Sequence, residues 1–216
     1  MNNNKVEIEN RVAKLIANGY QIKIGKYFEE AIEIFRVEAG LFILFTVVVA
    51  VMESVSAGLG FVLAAPFTVG YYIVAQRIKH KQEVKFEHFF DGFNKNLGGM
   101  VLLSIVSTVF IILGIMLCVL PGIYLAIAYS FAIPLVYFAD YDFMEALEAS
   151  RKWISKQFID FFIFAVVILV INILGAAVFG VGLLVSIPLS YVMMYVAFED
   201  ILSQANTGKN QVTLFE

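Results

Sequence analysis

Six apolar runs, at roughly residues 37–56, 58–76, 98–119, 121–139, 158–178 and 180–199, constrain this chain more than any other feature. Each is close to the ~20 residues that an α-helix needs to cross a hydrocarbon layer of ~30 Å. Inside lipid a backbone amide must find its partner within its own segment, so the runs are predicted to be helices despite their wealth of Val, Ile and Phe. A soluble fold has no place for them. Of the 216 residues 61% are hydrophobic and 15% charged, whereas ordinary soluble domains are about half apolar and about a quarter charged.

Breakers pair the runs. Gly58 with Gly60, Pro121 with Gly122, and Gly175 with Gly180 and Gly182 interrupt otherwise continuous apolar stretches, which predicts three tight hairpins. Pro121 suits the first turn of a helix, whereas Pro66, Pro134 and Pro188 fall inside runs and are expected to kink them. Ahead of the first run, Val6, Ile8, Val12, Leu15 and Ile16 recur at near-helical spacing up to Gly19, predicting a short surface helix. A second amphipathic stretch sets Phe28, Ala31, Ile32 and Phe35 against Glu29, Glu30, Glu33 and Arg36, and is expected to lie along the membrane surface. The expected fold class is thus all-α: a polytopic bundle of six transmembrane helices in three hairpins, each preceded by an amphipathic surface helix. It divides into an N-terminal cytoplasmic segment, 1–23, a membrane domain, 24–200, and a cytoplasmic tail, 201–216.

Cations orient the bundle. Lys5, Arg11, Lys14, Lys23, Lys26 and Arg36 precede run one. Arg77, Lys79, Lys81, Lys85 and Lys95 lie between runs two and three, Arg151, Lys152 and Lys156 between runs four and five, and Lys209 in the tail. With six crossings all 15 cations fall on one side, and the positive-inside rule makes that side cytoplasmic. The expected location is a bacterial inner (plasma) membrane with both termini inside. No short basic segment leads directly into an apolar run at the start, so no cleaved signal peptide is expected. A net charge of −3 offers no basic footprint for nucleic acid, and the single cysteine, Cys118, excludes an intrachain disulfide or a Cys-rich metal cluster.

The chain also resembles itself. Phe28–Arg36 aligns without gaps on Phe143–Arg151, sharing Phe, Glu, Ala, Glu and Arg. Gly58, Gly60, Pro66 and Thr68 match Gly180, Gly182, Pro188 and Ser190 with a shift of seven further residues, two helical turns. The predicted repeat is a surface helix followed by a two-span hairpin. Phe86, Phe89, Phe90 and Phe93 open a looser middle copy. Four spans separate matching points, so the repeats are parallel.

Leu120-Pro121-Gly122-Ile123-Tyr124-Leu125-Ala126 and, beyond Pro134, Glu145-Ala146-Leu147-Glu148-Ala149-Ser150-Arg151-Lys152-Trp153 are preceded in the chain by Gly70-Tyr71-Tyr72 and Phe89-Phe90-Asp91-Gly92-Phe93. Together they resemble the membrane domain fused to some glycerophosphoryl diester phosphodiesterases and related bacterial inner-membrane families, over roughly residues 24–200. The resemblance implies a six-helix membrane module without established chemistry of its own. In the fused proteins the hydrolase is a separate soluble barrel, and neither histidine of this chain sits in a His-Arg pair.

Candidate sites are few. Glu53 and Asn172 approach or enter hydrocarbon, where polar groups are costly and either bond between helices or contact a substrate. Asp160 and Glu199 lie near span ends. Pro66 with Thr68 and Pro188 with Ser190 are equivalent kinks that either line a cavity or set packing geometry. Lys79, Lys81, Lys85, Arg151 and Lys152 are candidate contacts for anionic lipid headgroups, though the positive-inside bias alone accounts for them. His80 and His88, near Glu83, Glu87 and Asp91, lack metal-site spacing. Asp140, Asp142, Glu145 and Glu148 open an amphipathic helix that Asp142 is placed to cap. No nucleophile, base and orienter can be assembled, so no catalytic residue, metal or cofactor is expected. The expected partner is the lipid bilayer, with either anionic lipid headgroups or another membrane protein as a candidate beside it. Two functions stand: a non-enzymatic membrane scaffold or interaction module, and a carrier or channel for a small or lipidic molecule.

Overall fold

The computed structural model describes residues 3–55 and 59–205. Among the described residues the chain is all-α, with ten α-helices and two 3-10 helices. In order they are α1 (Asn3–Asn18), α2 (Ile24–Val37), α3 (Ala39–Val55), a 3-10 helix (Leu59–Leu63), α4 (Ala64–Lys79), a second 3-10 helix (Phe86–Phe93), α5 (Leu97–Leu117), α6 (Val119–Ala128), α7 (Ala132–Ala139), α8 (Phe143–Ser155), α9 (Phe158–Ala177) and α10 (Leu183–Gln204). Gly58 and Lys209 lie outside the described residues, as does most of the predicted tail.

Five segments are long and apolar enough to cross a membrane: Gly60–Lys79, Leu97–Leu117, Val119–Ala139, Phe158–Ala177 and Leu183–Gln204. The first predicted run is α3, whose 17 residues reach only about 25 Å at the α-helical rise. It meets α2 at 92°, and the pair makes a sixth candidate when taken together. α9 and α5 are only 11% and 22% buried along their spans, whereas α4 and α10 are 61% and 67% buried. The outward faces of α5 and α9 carry Ile112, Leu113, Met116, Leu169, Ile173 and Leu174, all exposed. Apolar surface on this scale is what hydrocarbon stabilises and water does not.

Proline placement differs from the expectation. Pro66 and Pro134 stand third in α4 and α7, just after breaks in runs two and four, and only Pro188 lies inside a continuous helix. The first turn leaves its amides without helical partners anyway, so proline fits there at little cost and the preceding residues break instead. Run two starts as the 3-10 helix Leu59–Leu63, and the Ala65 amide donates to Ser104 Oγ of α5 at 3.0 Å. Run four divides at Tyr129–Phe131, where Ser150 of α8 donates to Ala128 O at 2.7 Å and accepts from Phe131 N at 3.1 Å.

The amphipathic helices are docked elements. α2 buries Tyr27, Ala31, Ile34 and Phe35, while Phe28 is 37% exposed, so its inner stripe is turned from the predicted Phe28, Ala31, Ile32, Phe35 set. Its neighbour is α10 rather than lipid alone. α1 seats Ile8, Val12 and Leu15 against α7, α8 and α10. The helix Phe86–Phe93 presses Phe89 onto Phe45, rings stacked at 4.4 Å, with Phe42 edge-on at 5.5 Å.

Asp142 caps α8 as its position predicts: its carboxylate accepts from Met144 N at 3.2 Å and Glu145 accepts from Asp142 N at 3.3 Å. Glu145 also pairs with Lys5 of α1 at 2.5 Å. The Lys5 ammonium holds the Glu145 carboxyl below its ordinary value of 4.5. A carboxylate so depressed stabilises the fold above that value, and the contribution disappears as pH falls through the lowered one. Acidification through that lowered value should therefore loosen the start of α1 from α8. Hydrogen exchange in α1, corrected for intrinsic rates, should rise more in the native protein than in Glu145→Gln; equal responses would remove the ion pair as the cause.

Candidate functional site

Chain segments distant in sequence converge on the end of the bundle that carries the cations. Lys79, at the end of α4, pairs with Glu30 of α2 at 2.5 Å and Glu199 of α10 at 3.0 Å. Asp200 pairs with Lys26, stands 3.8 Å from Lys23, and accepts from the Tyr27 hydroxyl at 3.1 Å and Gln204 Nε2 at 3.0 Å. Gln204 also grips the α1–α2 connection through both Gln21 backbone groups at 2.8 Å. Arg77 faces Asp91 at 3.7 Å, and Lys95 faces Asp140 at 2.8 Å while donating to Tyr137 O. These contacts tie α2, α4, α7, α10 and the second 3-10 helix together.

Of the candidate headgroup contacts, Lys79 is therefore already held between two carboxylates. Arg151 and Lys152 share Glu148 at 2.8 and 3.2 Å on the exposed face of α8. Arg151 draws the Glu148 carboxyl down to about 2. Lys81, in a left-handed backbone conformation, and Lys85 stand exposed between α4 and the helix Phe86–Phe93. His88 Nδ1 accepts the Lys85 amide at 2.9 Å, a capping role, and His80 ends α4. Among the described residues no three His, Cys, Asp or Glu side chains are grouped to hold a metal ion.

Asn172 joins α9 to α10. Its Nδ2 donates to Ser190 Oγ at 2.8 Å and to Ile168 O at 2.9 Å, and its Oδ1 accepts from Ser186 Oγ at 3.0 Å. Ser190 in turn donates to Ser186 O at 2.7 Å, flanking Pro188. Gly175 lets the helices approach here, since an added Cβ would overlap Ser186 Oγ. Interhelical bonds of this kind contribute about 1 kcal/mol in membranes, so Asn172→Leu should destabilise the reconstituted protein by that order. Unfolding in mixed micelles measures it, and an unchanged midpoint would deny the clamp a stabilising role.

Glu53 and Thr68 meet elsewhere. A cavity of about 190 Å³ between α3, α4 and α10 is lined by both, together with Thr46, Phe67, Tyr71 and Tyr191. Its floor is the Thr46–Tyr71 hydroxyl contact at 3.0 Å and the stacked Tyr71 and Tyr191 rings at 4.9 Å. Pro66, Pro188 and Ser190 are not among its lining residues. Of the lining residues, sequence reasoning marks Glu53 and Thr68 as site candidates and Tyr71 only as part of the Gly70-Tyr71-Tyr72 motif; Thr46 and Tyr191 carry no polar-in-hydrocarbon signal stronger than many other hydroxyls. It missed Glu30 and Asp200 as bracing residues, although Asp200 falls four residues after Val196, on the helix face that is buried.

Comparison with family models, curated proteins and solved structures finds no match for this chain. All-α architecture with five to six candidate membrane spans stands on the fold itself.

Proposed function

We propose that the chain is a six-span bacterial inner-membrane module with both termini cytoplasmic, acting as a scaffold or interaction partner rather than as an enzyme. The observation that carries this reading is the ion-paired end, where α2, α4, α7, α10 and the second 3-10 helix are braced into one surface. Exposed Lys81 and Lys85 beside that surface, with half-buried Arg151 and exposed Lys152 on α8, suit docking of a partner protein or of anionic headgroups. Aromatic packing beneath that surface supports a bundle without a solute path, because Phe42, Phe45, Tyr72, Phe89, Phe131 and Tyr195 are buried there.

The six-span count takes α3, entered from α2 lying across the interface, as the first crossing. Three parallel units then follow: α2 with α3 and α4, the helix Phe86–Phe93 with α5 and α6–α7, and α8 with α9 and α10. In each unit the second hairpin arm is more buried than the first, which supports the repeat. Kinship to the membrane domain of glycerophosphoryl diester phosphodiesterases rests on the sequence resemblance alone, carried by Leu120–Ala126, Glu145–Trp153, Phe89–Phe93 and Gly70-Tyr71-Tyr72.

The scaffold reading is tested by isolating the full chain in lipid nanodiscs directly from cells. A partner protein or anionic lipid retained in fixed stoichiometry, and lost when Lys81, Lys85, Arg151 and Lys152 are changed together to glutamate, is expected. Solute flux in liposomes that depends on Asn172 or Pro188 would overturn it in favour of a carrier. Protease access to a C-terminal tag only from outside intact cells would overturn the orientation.

A further inference from the structure

We infer that the cavity between α3, α4 and α10 is a binding site for a small organic ammonium group, with Glu53 as its counter-ion and Phe67, Tyr71 and Tyr191 as its aromatic wall. Glu53 lies near the C-terminal end of α3, away from the cation-rich end, and Thr46 is two helical turns deeper. Seven residues of α-helix span about 10 Å, so the site is a dead-end funnel reaching from that end of the bundle into its middle. The Thr46–Tyr71 contact and the Tyr71–Tyr191 stack close it, and Phe45 packs on Tyr71 at 5.0 Å behind them.

Volume and chemistry restrict the occupant. A cavity of about 190 Å³ equals the liquid volume of roughly six water molecules, enough for an ammonium bearing a few carbons and too small for a drug-sized ligand. The described lining residues include one carboxylate and no lysine, arginine or histidine. Glu53 is exposed, so it stands at the mouth of the cavity, where its charge favours entry of cations and repels carboxylates and phosphates. A bare divalent metal would want several more anionic or carbonyl oxygens than one carboxylate and a few hydroxyls provide. An alkylammonium is satisfied by what is present: a charge partner at Glu53, hydroxyl oxygens of Thr46 and Thr68 to accept N–H bonds, and aromatic rings for cation–π contact. This ligand class is independent of the scaffold role, because the funnel and the braced surface occupy opposite ends of α4.

The same ammonium chemistry can arrive as a free amine or as the headgroup of an amine-bearing lipid. The full chain is reconstituted in nanodiscs of phosphatidylglycerol, which has no amine, and equilibrium binding of radiolabelled ethylammonium is measured. Saturable binding is expected, weakened about tenfold by Glu53→Gln through loss of the charge partner. Ala50→Phe, which fills the cavity from the exposed side of α3 and leaves Glu53 in place, should weaken it similarly. Thermal unfolding of both variants reports whether the bundle is intact. No saturable binding to the native chain, or undiminished binding in both folded variants, would overturn the site. Adding phosphatidylethanolamine to the discs identifies the source: competition marks a lipid headgroup, and unchanged affinity marks a free amine.

Discussion

Gly70→Ala should destabilise the protein by roughly 3 kcal/mol, at the upper end of what overpacking a well-filled core costs. An alanine Cβ would overlap the backbone carbonyl oxygen of Phe89 and stand 3.1 Å from Phe45 Cζ. A flexible side chain can swing away, but a carbonyl in the helix Phe86–Phe93 moves only if the helix moves. That displacement separates Phe89 from Phe45, stacked at 4.4 Å, and from Phe42 at 5.5 Å. The matched control is Gly25→Ala in α2, where an added Cβ meets nothing within 4 Å. There the change should be neutral or stabilising by up to about 1 kcal/mol, the usual helical preference for alanine. Reversible unfolding in mixed detergent micelles compares the two. Equal midpoints would mean that the helix Phe86–Phe93 does not depend on close backbone approach to α4.

Asp200→Ala should release α2 and the α1–α2 connection from α10, with a loss of about 2 kcal/mol. Breaking one side of a buried ion pair commonly costs 3–5 kcal/mol. The value here is smaller because Lys23 and Lys26 are 45% and 50% exposed and can turn to solvent. The Tyr27 hydroxyl, by contrast, loses a partner inside the packed interface, where its ring is wholly buried against Phe164 at 5.9 Å. Asp200→Asn keeps an acceptor for Tyr27 and should cost less than half as much. Hydrogen exchange in α2 and proteolysis at residues 19–23 read the release. If both remain as in the native protein while global stability falls, the carboxylate acts within α10 and the bracing role is wrong.

The elements most legible in the sequence are those dictated by one overriding constraint. Runs three and five became α5 and α9 within one or two residues of the predicted ends, because continuous apolar side chains in lipid leave the backbone only helical self-satisfaction. The Asp142 cap of α8 was readable because it satisfies a local amide, and the structure adds Glu145, three residues on, as the reciprocal half of a capping box. Runs two and four were harder. Their breaks depend on Ser104 and Ser150, which accept or donate from other helices across 39 and 22 residues, and no local pattern announces that. The inner face of α2 was misread by about one residue because its only visible template was lipid, whereas the helix packs Tyr27, Ala31 and Ile34 against protein.

By itself the sequence determined helices, their approximate ends, and the segregation of cations into a few segments, since hydropathy and local hydrogen bonding act over one or two turns. Tertiary structure decided which of those helices sit in the centre and which face lipid, as the 67% burial of α10 beside the 11% burial of α9 makes plain. It also decided that Glu53 and Thr68 share a cavity while Asn172 and Ser190 form a clamp. Both pairings depend on where helices cross, and a crossing is set by side-chain volumes and glycine contacts from two segments at once.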